Sequence, residues 1–456
     1  MKTTGFRSIV LYLLVFAFLG GLGYLGVNLV VNGSRWAMQP YNGHVSEGSV
    51  KLGDITDRDG TVLATSKNGA REYSESETVR RSLLHTVGDT DGYIGTSVQA
   101  TLRSKLSGYN LITGLNNTFL TQLGKNVQLT VDADVCAAAY NALGDLNGAV
   151  MVYNYETGDV VCKVSKPAFD PMNVPEDIEN NDAYKGVYLD NNLSGSYTPG
   201  SIFKIVTAAA AMDKWPDSWQ ERTYTCTQET ELGGDQITCL GYHGEQDLYA
   251  AMGNSCNIYF AELASDIGAA DLQKKAEQMG FNRELKMGSI PIEKSACVLS
   301  KANTNELGWA GVGQYTVQAN PYHMLVLMGA IANGGEYTEP RLTGDGDLFG
   351  SLTKGDSRKL MDSAEAGKLK SLMRSDVENY YGDYLFPEGW NVCAKTGTGE
   401  VGEGKAPNCW IVGFCDNPAV PYAFVVVAEQ GVGGIETAGN AASQILAALS
   451  IRAEPA

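Results

Sequence analysis

The chain has 456 residues, 44% hydrophobic and 19% charged, which leaves room for about three domains and excludes global disorder. Its formal net charge of -18 argues against a nucleic-acid partner and against peripheral docking on anionic lipid through a basic surface.

The first thirty-one residues set the compartment. Lys2 and Arg7 precede an apolar, glycine-containing run from Ile9 to Val31 with no acidic residue. A run of this length spans a bilayer, which needs about 20 apolar residues. Positive charge on its N-terminal side predicts a cytoplasmic tail over 1–7, an uncleaved anchor over 8–31 and export of the remainder to the extracellular face of the cell membrane. A cleaved signal peptide is the competing reading, but the run is long and no A-x-A site follows it. Residues 32–47 read as a polar tether. Gly53–Ala64 reads as strand, D-G turn and strand, and Lys67–Asn126 as an irregular α+β segment, so 32–126 is expected to form a small pedestal or dimerisation-like unit.

From Val127 to 452 the chain reads as one large domain. Val127–Asp132 is an expected strand, Ala133–Leu143 a helix, and Gly148–Val164 a hairpin turning at Thr157-Gly158-Asp159. Helices are expected over 201–213, 247–266, 270–279 and 321–333. Strands are expected over Val392–Thr398, Cys409–Phe414 and Tyr422–Glu429, with a last helix over Thr437–Leu449. The nine cysteines all follow the anchor. Their odd number and irregular spacing do not read as a disulfide framework, and most fit small buried hydrophobes.

Three polar clusters carry the chemistry. Pro199-Gly200 is a turn signal before an alanine-rich run, so Ser201 falls at a helix start with Lys204 three residues on, on the same face. A serine hydroxyl needs a base to become a nucleophile, and a desolvated lysine can be one. Alone, the pair fits a serine-capped helix with an incidental lysine. Ser255-Cys256-Asn257 and Lys395-Thr396-Gly397-Thr398 follow in order behind the anchor, and the trio together is far more specific than any one member.

On these residues the chain resembles the class B penicillin-binding proteins, monofunctional membrane-anchored transpeptidases. Asp57-Arg58-Asp59-Gly60 with Leu63-Ala64 is similar to the family's pedestal opening, Pro199–Lys204 to its P-G-S-x-F-K, and Asn408–Phe414 to the strand after the K-T-G segment. It departs from the pattern at Ala394, where a glycine is usual, and in Gly311-Val312-Gly313, which lacks the usual central glutamine. The resemblance implies an α+β fold: an antiparallel sheet flanked by helices, plus a helical lobe. It implies Ser201 as nucleophile, Lys204 as acylation base, and Ser255 and Asn257 as proton relay and positioning group. Lys395 would hold positive charge beside Lys204, and Thr396, Gly397 and Thr398 would bind substrate. The N–H groups of Ser201 and Thr398 would form the oxyanion hole.

The implied substrate is a peptidoglycan stem peptide ending in D-Ala-D-Ala on lipid-linked nascent glycan. β-Lactams would acylate Ser201, and no cofactor is needed for the chemistry. Implied partners are a SEDS-type glycosyltransferase and membrane proteins of division or elongation. A β-lactamase or β-lactam sensor shares the trio, and a catalytically idle scaffold is a third reading that the intact motifs oppose.

Cys226, Cys239, His243 and Cys256 lie in one stretch that ends inside the S-x-N motif, with Gly233-Gly234-Asp235 as a hairpin turn bringing the first two cysteines together. The set fits a tetrahedral structural zinc site, and some clostridial members of the family are reported to hold zinc there. A Cys226–Cys239 disulfide, unpaired thiols, and Asp235 replacing one thiolate remain open. If Ser255 and Asn257 face the cleft, Cys256 points away from it. His323 reads as structural, Glu400 and Glu403 as a solvated loop, and the aromatic run Tyr380-Tyr381 with Tyr384-Leu385-Phe386 as packing.

Overall fold

The apolar N-terminal run forms a single helix, Lys2–Ala37, in this computed structural model, which describes residues 2–37, 52–67, 70–108, 124–344, 358–402 and 404–453. Its stretch Ser8–Gly33, 26 residues with mean hydropathy 2.2, has none of its apolar window buried against protein. At 1.5 Å per residue it is about 39 Å long, enough for a hydrocarbon core of about 30 Å. Residues 32–37 of the expected tether continue this helix; the rest of the tether lies outside the described residues.

A small four-stranded sheet follows, ordered Ala70–Tyr73, Val62–Lys67, Ile55–Thr56, Val127–Gln128. The turn at Asp57–Gly60 is tied by the Asp57 carboxylate, which accepts from Asp59 N (3.0 Å) and Thr61 N (2.8 Å), and Gly60 takes φ +89°. The strand expected over Val127–Asp132 is only two residues long and pairs parallel with Ile55–Thr56. It ends early because Asp132 turns to cap the helix Ala133–Ala142, accepting from Asp134 N and Val135 N.

The main sheet has five antiparallel strands, ordered Val392–Gly399, Asn408–Cys415, Tyr422–Ala428, Gly148–Asn154, Val160–Lys166. Its inner strands are buried on both faces and so read as unbroken apolar runs rather than alternating ones. The helix Pro321–Ala332 lies against the sheet, buried from Pro321 to Ile331, and opens with Pro321 at its first turn and Asn320 accepting from His323 N (3.1 Å). The C-terminal helix Asn440–Ala453 begins three residues later than expected, because Gly434–Gly439 winds as a π-turn. A helical lobe built from Lys204–Lys214, Asn257–Ile267, Ala269–Gln278 and Thr304–Gly311 faces the free edge of Val392–Gly399. That strand has a sheet neighbour on one side only, so its other edge is open to the space between sheet and lobe.

The small sheet's segment is clamped to the large domain by Arg80, whose guanidinium grips Asp170 through two hydrogen bonds of 2.7 Å. The Asp170 side chain is 1% exposed. Arg80 holds its carboxyl down to about 2, helped by Met172 N and Asn173. Breaking a buried pair strands one charge, so Arg80→Ala should destabilise the portion that follows the N-terminal helix by about 3–5 kcal/mol. An unfolded aspartate titrates near 4, so this contribution is full above pH 4 and is lost as pH falls toward 2. Thermal melts from pH 7 to pH 2 should show the largest difference between native and Arg80→Ala protein at neutral pH and convergence at the acid end.

Candidate active site

The nucleophile turn is pinned from several sides. Asn320 Nδ2 donates to Gly195 O (2.8 Å) and Leu193 O (3.1 Å), Tyr197 pairs its backbone with Ala319, and Trp410 Nε1 donates to Thr198 O (3.0 Å). Gly200 then takes φ +55°, and a Cβ there would strike the Thr398 carbonyl. The chain continues as a tight 3-10 turn, Gly200–Phe203, before the helix Lys204–Lys214, so the helix proper starts at Lys204 rather than at Ser201. Lys204 Nζ lies 3.0 Å from Ser201 Oγ.

The helix expected over 247–266 is two helices, Leu248–Gly253 and Asn257–Ile267. The break is the S-x-N motif itself. Ser255 stands at φ +50°, a left-handed conformation unfavourable for a residue with a Cβ. This kink delivers the Ser255 carbonyl to Lys204 Nζ at 2.6 Å and its hydroxyl to 3.3 Å, and sets Asn257 Oδ1 at 2.9 Å. The Asn257 amide is oriented by its Nδ2, which donates to Thr238 O (3.1 Å).

These partners are compatible with a neutral Lys204. The Ser255 carbonyl and Asn257 Oδ1 can only accept, so they take two amine hydrogens. A neutral amine then has its lone pair left for Ser201 O–H. Burial agrees: Lys204 is fully enclosed, and desolvation first, then the Lys395 charge, pull its pKa down to about 7, against Cys256, Cys239 and Asp376, which push it up. Lys395, equally enclosed, spreads its hydrogens over Ser255 Oγ (3.2 Å), Tyr381 Oη (3.0 Å) and Thr396 O (3.3 Å). The Ser255 hydroxyl therefore stands between the two lysines.

The edge strand presents its backbone to the same space. Thr396 N donates outward to Tyr381 Oη (3.3 Å), and Thr398 O accepts from Gln314 Nε2 (3.3 Å). Backbone groups on a strand alternate sides, so the N–H of Thr398 also points away from the neighbouring strand and into the cleft. Gly397 differs from expectation: its open side is filled by the protein's own nucleophile turn, since a Cβ would lie 2.6 Å from Pro199 O and 2.9 Å from Ile202 Cγ2. Its role is to let turn and strand meet.

Behind the motif, Cys226, Cys239, His243 and Cys256 converge, with their ligand atoms all within 4.8 Å of one another. His243 Nδ1 is 3.5 Å from Cys226 Sγ and 3.6 Å from Cys239 Sγ, and the Cys239 and Cys256 sulfurs are 3.9 Å apart. The hairpin Glu229–Leu232/Asp235–Thr238, turning at Gly233-Gly234, brings the first two cysteines in. All nine cysteines are free thiols. Cys256 points away from the cleft and caps the helix Asn257–Ile267 through its sulfur. The Cys239 thiol is pulled down, chiefly by its contact with Cys256, whose own thiol is pushed up. Asp235 is exposed at the hairpin and outside the cluster.

Two residues were not legible as site members. The helix Ser363–Asp376 runs on as a π-turn, Val377–Tyr381, which aims Tyr381 at Lys395 and Thr396 and lays Tyr380 on Gly253, so this run does more than pack. Asp376 is fully buried, and neither carboxylate oxygen meets a hydrogen-bond partner among the described residues. Burial pushes its carboxyl up to about 7, against the pull of Lys395 and Lys204. His323 is structural, bonded to Ser295 Oγ and Met279 O; Glu400 is exposed, and Glu403 lies outside the described residues.

Residues 148–449 match the penicillin binding protein transpeptidase domain. The chain belongs to that family. It is 27% identical over 347 residues to the peptidoglycan D,D-transpeptidase PbpA of Mycobacterium tuberculosis, covering 70% of each chain. It is 28% identical to stage V sporulation protein D of Bacillus subtilis, covering 71% of this chain and 52% of that one. Its fold is similar to penicillin-binding protein A of M. tuberculosis in a ceftriaxone acyl-enzyme complex, with TM-score 0.75, 24% identity, and coverage of 88% of this chain and 99% of that one. It is also similar to a D,D-transpeptidase domain from Eggerthella lenta, with TM-score 0.72, 25% identity, and coverage of 88% and 99%.

A lysine at about 7 should be directly visible. In 15N-lysine NMR, one amine should titrate near neutrality and disappear in Lys204→Ala. Asp376 holds that midpoint up, so Asp376→Asn should move it to lower pH; an upward move would refute this electrostatic assignment.

Proposed function

We propose that this penicillin-binding protein is a membrane-anchored serine D,D-transpeptidase that cross-links peptidoglycan stem peptides through an acyl-enzyme on Ser201. The observation that carries the reading is the 3.0 Å contact between Ser201 Oγ and a buried Lys204 whose two amine hydrogens are already committed to acceptors. Ser201 Oγ bonds to the carbonyl carbon of the penultimate D-Ala while its proton passes to Lys204. The developing oxyanion falls to the N–H groups of Ser201 and Thr398. The C–N bond to the terminal D-Ala then breaks, and the proton returns to the departing amine through the Ser255 hydroxyl. The amine of a second stem attacks the ester, gives a proton back through the same groups, and frees Ser201. Lys395, Thr396 and Thr398 hold the terminal carboxylate. On this reading residues 8–31 lie in the cell membrane and 1–7 in the cytoplasm, with a pedestal over 32–126 and the transpeptidase domain over 127–452 outside; the exposed apolar helix supports the anchor. Lipid-linked nascent glycan and a SEDS-type glycosyltransferase with division or elongation proteins are the partners this placement suits.

The reading includes a structural zinc on Cys226, Cys239, His243 and Cys256. Tetrahedral Zn–S bonds of about 2.3 Å and Zn–N bonds of about 2.0–2.1 Å require S···S edges of about 3.8 Å and S···N edges of about 3.6 Å. Three of the six edges are 3.9 Å, 3.5 Å and 3.6 Å, and all lie within 4.8 Å. When bound, zinc supplies a fixed cross-link and no reaction chemistry. The residues themselves hold the S-x-N break: Asn257 N donates to Cys239 Sγ (3.4 Å) and Tyr259 N to Cys256 Sγ (3.4 Å).

Incubation with a fluorescent penicillin should label the protein stably, with no label in Ser201→Ala and acylation slowed about 10²–10⁴-fold in Lys204→Ala. Native acylation should rise as pH climbs through about 7, where Lys204 becomes neutral. Rapid loss of label on chase would instead mark a β-lactamase, and no label an inactive scaffold. Metal analysis of the purified protein should return about one zinc per chain, falling in Cys239→Ser; less than about a tenth of that in native protein would sink the zinc site.

A further inference from the structure

We propose that Tyr381 is a substrate-binding residue whose hydroxyl donates to the terminal carboxylate of the substrate and so helps to select it. The inference rests on the transpeptidase reading above. Three polar groups converge on Tyr381 Oη: Lys395 Nζ at 3.0 Å, Thr396 Oγ1 at 3.1 Å and Thr396 N at 3.3 Å. A phenol oxygen has two lone pairs and one hydrogen. Lys395 Nζ and Thr396 N can only donate and fill both lone pairs, so before substrate enters the phenol hydrogen is left to the Thr396 hydroxyl oxygen.

The position is held rather than accidental. The π-turn Val377–Tyr381 adds a residue to the helical winding at the helix end, and Gly382 at φ +96° stops it. Tyr380 is wedged over Gly253, where a Cβ would strike its ring. The ring of Tyr381 has Lys395 Nζ 5.8 Å from its centroid, and the residue is half-buried at the cleft.

Its three partners are the groups proposed to hold the carboxylate or its attracting charge. An anion drawn in by Lys395 and bonded to Thr396 therefore arrives beside the Tyr381 hydroxyl, whose hydrogen can turn from Thr396 Oγ1 to the stronger, charged acceptor. A hydrogen bond from that hydroxyl to a carboxylate is of the stronger, charge-assisted kind. Its loss should slow acylation by about 10–100-fold. An esterified ligand offers no anion and forfeits that part.

The experiment compares Tyr381→Phe with native full-length protein, using a penicillin and its methyl ester and timing Ser201 acylation by mass spectrometry. Native acylation by the acid tests the underlying reading independently of Tyr381. Given that acylation, the proposal expects Tyr381→Phe to lose about 10–100-fold with the acid and under about 3-fold with the ester, so that preference for the acid collapses. The loss should appear in the saturation constant more than in the limiting rate. An equal loss with both ligands would overturn it, leaving Tyr381 as support for Lys395 only. A gain with the acid would overturn it in the other direction, making the hydroxyl a plug that competes with the carboxylate. Phe keeps the ring, and an unchanged melting temperature separates any of these from unfolding.

Discussion

Two lysines, Lys204 and Lys395, are buried completely within reach of one serine hydroxyl, and two ammonium ions cannot be held there at ordinary cost. One must give up its proton. The surroundings decide which. Lys395 is met by one carbonyl and two hydroxyls, while Lys204 is met by two acceptor-only oxygens and by the Ser201 and Ser255 hydroxyls, which can donate to it, and burial beside Lys395 pulls its pKa down. The neutral amine therefore falls on the lysine that touches Ser201. Nucleophile activation is a consequence of how hydrogen-bond partners are shared out, before any substrate enters.

That arrangement demands three pieces of backbone from distant parts of the chain within a few ångströms. Glycines make the approach: Gly200 against the Thr398 carbonyl, Gly397 against Pro199 and Ile202, Gly313 against Gly200. Side chains then lock it, with Trp410 holding Thr198 and Asn320 holding Gly195 and Leu193. The edge strand contributes twice. Its side chains supply Lys395 and the threonines, and its edge, which has no neighbouring strand among the described residues, turns backbone groups toward Tyr381 and Gln314.

Much of this was written in the sequence and some was not. The three motifs and their order announced the cleft, and the resemblance they carry implied a sheet flanked by helices. The helix expected over 247–266 failed because its periodicity carries through the break; only the left-handed Ser255 and the contacts to Lys204 impose it, and those are tertiary. Gly397 was legible as a close approach but not as an approach by Pro199. Tyr381 was indistinguishable from packing because a π-turn leaves no periodic signature. Asp376 looked like one more helical acid until burial removed its partners. The Cys/His set was visible by composition, but its edges of 3.5 to 3.9 Å belong to the fold.

The cysteine cluster bears on the lysine problem as well as on the backbone. The Cys256 and Cys239 sulfurs lie behind Lys204 and favour its ammonium form, which opposes its use as a base. Geometry alone would let bare thiols hold the Ser255–Asn257 kink, since each sulfur already accepts a backbone N–H. In the proposed zinc site a divalent cation held by three thiolates and a neutral histidine still leaves one negative charge in excess, so it would fix the same kink while the field behind Lys204 stays negative. The Cys/His donor set is chemically suited to that cation, and the cluster sits on the far side of the motif from Ser201, where it can act on the base through the backbone and the field while leaving the cleft free.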